Sequence, residues 1–132
     1  MMYVFDACSI LNLIKRACMK PFLNGVTLDL AFYECLNAIW REHVLLGKLD
    51  ADTALEYVGL ITDTFKVLHV VSFGNLGGEV YKLAVEEEIT VYDAAYLLEA
   101  MRGGCILVTD DEKLEEVSRR YVKVVRSSSF CH

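Results

Sequence analysis

The alternation of short apolar runs with longer helical patterns predicts an α/β fold built on a parallel sheet. The runs MYVF, KVLHVVSF and CILVT are near-continuous rather than alternating, as strands covered on both faces require. At 132 residues, with 55% hydrophobic and 24% charged, the chain is sized for one globular domain (1–132) with a single core. No repeat or Pro/Gly-rich linker divides it, and the lone proline is Pro21.

The elements follow in order. MYVF reads as the first strand and residues 7–16 as a helix, after which NGVTL forms a short strand beyond a turn. Residues 29–46 form a strong helix that Gly47 is suited to stop. Residues 51–65 form the next helix, capped by Asp50 or Asp52, and KVLHVVSF is a third strand. Helices over 75–88 and 90–102 come next, the second closed by Gly103-Gly104. CILVT is the fourth strand, residues 110–119 a helix, and VKVVR the last strand.

No run reaches the roughly 18 apolar residues of a membrane span. The opening MMYVFD lacks a basic start and does not read as a secretory signal, so a cytoplasmic protein with no membrane association is expected. The five cysteines (Cys8, Cys18, Cys35, Cys105, Cys131) are odd in number and include no CxxC pair. They predict reduced thiols rather than a zinc site or a complete disulfide framework. Cys35 and Cys105 read as small core residues. The net charge of −6 argues against a surface that binds nucleic acid by charge alone, but not against nucleic acid as a substrate. Cations available for phosphate contact are Lys15-Arg16, Arg119-Arg120, Lys20, Arg41 and Arg102.

Carboxylates interrupt apolar segments at four places: Asp6, Glu34, Asp93 and the pair Asp110-Asp111. A buried carboxylate without a partner costs several kcal/mol or more, so such acids are normally paired or bound to a cation. No Lys or Arg stands beside Asp6, Glu34 or Asp93 in the sequence. Asp6 and Asp110-Asp111 follow strands, and in open α/β sheets sites form beyond the carboxyl ends of strands. Glu34, Asn37 and Arg41 are three and four apart and form one polar stripe, while Phe32, Leu36, Ile39 and Trp40 suggest a largely buried helix.

Each acid also has a local alternative. Asp6 reads equally as a helix N-cap. The Glu34 stripe reads also as a solvated face. Asp93 reads as the partner of Thr90 in a capping box, and Thr109 with Glu112 makes a similar box. Together they fit a site for a hard cation such as Mg²⁺ or Mn²⁺, whose chemistry is hydrolysis of phosphate esters by metal-activated water. Rival chemistries lack their residues. GNLGGE lacks the ending of a P-loop, no GxSxG occurs, and His43, His69 and His132 are scattered.

Four stretches resemble one family, the PIN domains, and especially the VapC-type ribonuclease toxins. VFDACSILNLI is similar to the opening strand with its first aspartate, and YECLNAIWREH to the helix carrying a glutamate and a nearby asparagine. TVYDAAYLLEA resembles the DAxxLxxA pattern, and LVTDDEKL the Thr-x-Asp motif. The resemblance spans nearly the whole chain. It implies a three-layer α/β/α sandwich with a five-stranded parallel sheet, and an endoribonuclease dependent on Mg²⁺ or Mn²⁺. It further implies an RNA substrate, a homodimer and a cognate antitoxin.

By position, Asp6, Glu34, Asp93 and Asp111 are then the metal-binding and catalytic acids, with Asp110 a spare neighbour. Thr109 matches the hydroxyl residue of its motif, and Asn37 contacts substrate or holds Glu34. One departure is visible: Cys8 stands where the family usually carries Ser or Thr, with Ser9 as a possible substitute.

Rival readings are a catalytically weak scaffold or binding module in an RNA-processing complex, and a receiver-type phosphotransfer domain. The latter lacks an acidic pair after the first strand and a Lys at the end of the last. A DxD phosphatase fails because Cys8 stands at the second acid's place.

Overall fold

The computed structural model describes residues 2–131. Five parallel strands form one sheet: β1 (Tyr3–Phe5), β2 (Gly25–Leu28), β3 (His69–Val71), β4 (Ile106–Val108) and β5 (Val124–Val125), in the order β3-β2-β1-β4-β5. The helices are α1 (Ala7–Lys15), α2 (Leu30–Trp40), α3 (Ala51–Val67), α4 (Gly77–Glu87), α5 (Val91–Gly103) and α6 (Glu112–Ser118). The chain steps from β1 to β2 to β3 in one direction, then crosses back past β1 to β4 and β5. Right-handed crossovers therefore place α1–α3 on one face and α4–α6 on the other. The α/β sandwich and its five parallel strands are as expected.

Strand order reverses between β1 and β4, which pair directly from Tyr3 with Ile106 to Phe5 with Val108. Such a reversal leaves a crevice at the carboxyl ends of the two strands. The chain puts Asp6 and Thr109 there, each one residue past its strand.

The edges depart from the sequence reading. The central strands β2 and β4 are buried throughout, but β3 and β5 carry exposed or half-buried residues because each has one neighbour. KVLHVVSF contributes only three residues to β3, since α3 runs on to Val67. Helix 29–46 holds, although Arg41–Leu45 widens to a π-helix with Leu46 N–H donating to the Arg41 carbonyl over 2.9 Å. Gly47 (φ +61°) and Gly104 (φ +61°) end their helices in the left-handed region, where glycine escapes the Cβ clash. Between the two expected caps of α3 the structure chooses Asp50, whose carboxylate accepts from Thr53 N–H over 2.7 Å. No helix among the described residues is long and apolar enough to cross a membrane.

The cysteines correct the expectation of reduced thiols. Cys18 and Cys131 form a disulfide with Cα atoms 5.9 Å apart, leaving Cys8, Cys35 and Cys105 free. An odd count hides one pair when the partners lie 113 residues apart. Cys35 is buried, as expected, and its thiol donates to the Ala7 carbonyl over 3.5 Å, whereas Cys105 is only partly covered.

The basic pairs are also spent structurally. Lys15 grips Glu42 through both carboxylate oxygens at 2.6 and 2.8 Å. Arg16 donates to the carbonyls of Ser127 (3.0 Å) and Phe130 (2.7 Å). Arg119 pairs with Glu115 at 3.0 Å and Arg120 with Glu87. Among the described residues Lys20, Arg41 and Arg102 make no ion pair.

A cross-link closing so long a loop removes chain entropy worth about 5 kcal/mol from the unfolded state, of which native-state strain and residual structure usually leave less. Thiol titration of the unfolded, unreduced protein is expected to find three reactive cysteines, and reduction to lower urea-unfolding stability by about 2–4 kcal/mol. Five reactive thiols, or an unchanged midpoint on reduction, would show that the bond does not form.

Candidate functional site

Asp6 is held from both sides of the β1/β4 crevice. Its amide donates to the Val108 carbonyl over 3.2 Å, extending the strand ladder by one residue. Its carboxylate accepts from Ser9 N–H over 2.9 Å, which makes it the N-cap of α1, and from the Thr109 hydroxyl. The two readings of Asp6 are thus compatible: the cap sets the orientation of a carboxylate at the mouth of the sheet. Asp6 is 6% exposed. Burial pushes its carboxyl up to about 6, against the lowering effect of the Thr109 and Ser9 bonds, and the Asp110 charge adds to the rise.

Thr109 is fully buried and relays this arrangement. Its hydroxyl gives its proton to Asp6 and accepts from the Asp111 amide over 3.1 Å. The expected Thr109–Glu112 capping box does not form, because Asp111 caps α6 by accepting from Leu114 N–H over 2.8 Å. Ser9 is also fully buried, so it braces the site and touches no substrate. Its hydroxyl donates to the carbonyls of Asp6 (2.9 Å) and Val108 (3.0 Å), not to a carboxylate, and so does not replace the hydroxyl absent at Cys8.

The final acidic pair divides by environment. Asp110 accepts from Asn12 Nδ2 (2.7 Å), Ser127 Oγ (2.6 Å) and Ser127 N–H (2.8 Å). Burial pushes its carboxyl up, but these donors outweigh it and hold it below the usual range. Asp110 therefore ties α1 and the C-terminal segment to the end of β4. Asp111 is exposed and keeps one oxygen free of the cap.

Glu34 projects from the outer side of α2, whose buried face is Ala31, Cys35 and Ile39. The helix is less buried than its apolar content suggests, since Trp40 is 48% exposed. Glu34 accepts from the Tyr96 hydroxyl over 2.7 Å, which joins α2 to α5 across the end of the sheet. Tyr96 is 2% exposed, and burial together with the Glu34 bond pushes its hydroxyl far up, so it remains a proton donor. The only sequence signal for this contact is a tyrosine in an apolar helix, whose hydroxyl needs a partner once buried.

Asp93 lies at the start of α5, where Thr90 Oγ1 accepts from the Asp93 amide over 3.1 Å, supplying half of the expected box. Burial raises its carboxyl, the charges of Asp111 and Glu34 raise it further, and the Thr90 hydroxyl and Lys113 oppose them. Cys8 sits within this field. Desolvation and the carboxylates of Asp6, Glu34, Asp111 and Asp110 push its thiol up to about 11, so it is neutral at pH 7 and no nucleophile.

Glu34 and Asp111 thus act electrostatically on Asp93, whereas the carboxylate that acts on Asp6 is Asp110, itself occupied by hydrogen bonds. Among the described residues no three His, Cys, Asp or Glu side chains stand close enough to hold an ion unaided. Of the histidines, His43 and His69 lie away from these acids on the π-helix and β3, and His132 lies outside the described residues.

A groove of about 450 Å³ opens beside Glu34, lined by Leu30, Tyr33, Asn37 and Tyr92 as well. An apolar cavity of about 360 Å³ adjoins it, bounded by Phe73, Val80, Tyr81 and Val91 among others.

Comparison with known proteins follows the same line. The chain is 39% identical over 90 residues to Ribonuclease VapC3 of Pyrobaculum aerophilum, a stretch spanning 68% of either chain. The chain belongs to the VapC family. It is also 38% identical over 87 residues to Exonuclease VapC9 of the same organism, across 66% of this chain and 62% of that one. The crystal structure of PAE2754 from Pyrobaculum aerophilum superposes with a TM-score of 0.82 at 27% identity, covering 98% of this chain and 91% of the other. No family model matches the chain.

The raised Asp6 carboxyl has a signed consequence in metal-free protein. Below about pH 4 the acid is protonated folded and unfolded, and burial costs nothing. Between about 4 and 6 only the unfolded state ionises, so stability falls as pH rises, by about 3 kcal/mol in all. Asp6→Asn keeps an acceptor for Ser9 N–H without the charge. It is expected to raise metal-free unfolding free energy by about 2 kcal/mol at pH 8 and not at pH 4. Equal effects at both pH values would contradict this origin.

Proposed function

We propose that this VapC-family chain is a ribonuclease that hydrolyses RNA phosphodiester bonds with Mg²⁺ or Mn²⁺, the toxin of a toxin–antitoxin pair. The observation that carries the reading is the buried, upward-shifted Asp6 at the β1/β4 reversal, beside the Asp110 charge and, among the described residues, in no ion pair. The names of its relatives, a ribonuclease and an exonuclease, support the same chemistry.

The donors suit a hard cation, being carboxylate oxygens with no thiolate or imidazole among them. The separation of the acids fits Mg²⁺, which usually keeps several waters and takes only one or two carboxylates directly. Asp6, Asp93 and Asp111 would hold it, one or two directly and the rest through bound water, with Glu34 ligating or orienting the attacking water. A bound divalent ion would neutralise phosphate charge and ease deprotonation of water.

The chain's own residues do the rest. Thr109 and Ser9 fix the direction of Asp6, and Tyr96 fixes Glu34. Asp110 anchors the segment that presents Asp111. Cys8 leaves the site without a hydroxyl at that position and contributes no charge at pH 7. A homodimer and a cognate antitoxin belong to the same reading, and the exposed Val44, Leu45 and Leu46 after α2 offer apolar surface for such contacts.

A catalytically weak binding module draws on one observation, the absence among the described residues of three donors close enough for an ion. Calorimetry with Mn²⁺ decides between the two, since no binding at millimolar concentration favours the module.

Cleavage of single-stranded RNA is expected with Mn²⁺ and none with excess chelator. Asp6→Asn and Asp93→Asn should each lower kcat about a hundredfold or more. Activity surviving in both variants would sink the proposal. A 5′-blocked and 3′-blocked RNA separates internal cleavage, the expected mode, from the exonuclease activity named for one relative.

Tyr96→Phe leaves the core packed but strips Glu34 of its donor. It is expected to weaken Mn²⁺ affinity or activity about 10- to 100-fold. An unchanged Mn²⁺ titration would remove Glu34 from the ion's surroundings.

A further inference from the structure

The groove beside Glu34 contains two aromatic rings that the carboxylate chemistry does not use. Tyr33 on α2 is 71% exposed and Tyr92 on α5 is 57% exposed, and both line the same groove as Glu34 and Asn37. Large apolar rings are costly to leave in water, and two on one concave surface mark a binding site.

Tyr33 is also buttressed. Its ring meets Phe32 edge-on with centroids 5.4 Å apart, and Phe32 meets Phe65 of α3 at 5.3 Å. Asn37 makes no side-chain hydrogen bond among the described residues, so its amide is free to donate and accept. One turn further along the same stripe, Arg41 makes no ion pair among the described residues. The order along α2 and into the π-helical turn is therefore aromatic ring, carboxylate, free amide and free cation, all exposed.

We propose that Tyr33 and Tyr92 form a base-stacking subsite that seats one unpaired base of single-stranded RNA next to the bond cleaved at the acids. Asn37 would meet the polar edge of that base and Arg41 the following phosphate. The subsite rests on the ribonuclease reading for its substrate, but its residues are distinct from the acids. A volume of about 450 Å³ is large enough for a nucleoside. Stacking suits a chain of net charge −6, because it binds the base through its face and asks little of the protein's overall charge.

The test uses the whole chain and a labelled single-stranded oligoribonucleotide. Binding is measured in chelator, where no cleavage occurs, and KM and kcat are measured with Mn²⁺. Tyr33→Ala and Tyr92→Ala are each expected to raise Kd and KM about 5- to 100-fold, with a smaller change in kcat. Tyr33→Phe should restore binding to near the wild-type value, since the ring and not the hydroxyl stacks. Placing an abasic ribonucleotide at each position in turn should weaken wild-type binding at one position and leave the Tyr33→Ala variant unaffected there.

RNA affinity unchanged in both alanine variants overturns the subsite and leaves the groove to a protein partner. Loss in Tyr33→Phe equal to that in Tyr33→Ala overturns stacking in favour of the hydroxyl. Ring-dependent binding without any cleavage by the wild type keeps the subsite and overturns the ribonuclease reading instead.

Discussion

The hydrogen bond from Thr109 to Asp6 is the contact on which the rest of the site depends. It joins the residue after β1 to the residue after β4, across the one place where strand order reverses. Both backbones are fixed before the side chains meet: the Asp6 amide donates to Val108, and the Thr109 amide donates to Val125 of β5. The sheet thus fixes where the carboxylate stands, and α1, whose N–H of Ser9 it caps, fixes where it points. Because the Thr109 oxygen also accepts from the Asp111 amide, its proton is committed to Asp6. One hydroxyl thereby orients an acid and begins the turn that presents another.

Burial gives this arrangement its chemistry. An acid as enclosed as Asp6 is costly to ionise, and Asp93 is raised by burial and then by the neighbouring charges of Asp111 and Glu34. Carboxylates that disfavour one another's ionisation store a demand for positive charge. Burial, with the carboxylate charges added, keeps Cys8 a neutral thiol, so the site is limited to oxygen chemistry. Around it the protein spends its cations elsewhere: Lys15 on Glu42, Arg16 on C-terminal carbonyls, and Arg120 on Glu87. An incoming cation thus meets little competition from the chain's own cations.

The acids differ in how legible they were. Asp6, Glu34 and Asp93 stood out because each interrupts an apolar segment, and pattern suffices to see that. Asp110 and Asp111 are adjacent and chemically alike, and motif register alone favoured Asp111. What separates them is Ser127 and Asn12, which close on Asp110 from distant parts of the chain. Tyr96 shows in the sequence only as a tyrosine in an apolar helix, not as the partner of Glu34, which is 62 residues away. The Thr109–Glu112 box failed for a local reason: Asp111 competes for the same cap and wins, freeing Thr109 for Asp6.

The sequence by itself determined the α/β class, the five strands, nearly every helix and its stop, and the set of acids, because these depend on periodicity and on residues a few positions apart. It did not reveal the Cys18–Cys131 bond, the loss of Lys15 and Arg16 to structural pairing, or the short exposed edge strands. Nor did it show the groove that Tyr33 and Tyr92 line together. Those features depend on which distant segments the crossovers bring together, and on which side of the sheet each helix lies. Local pattern specifies the elements; their convergence at the β1/β4 reversal exists only once the sheet has closed around it.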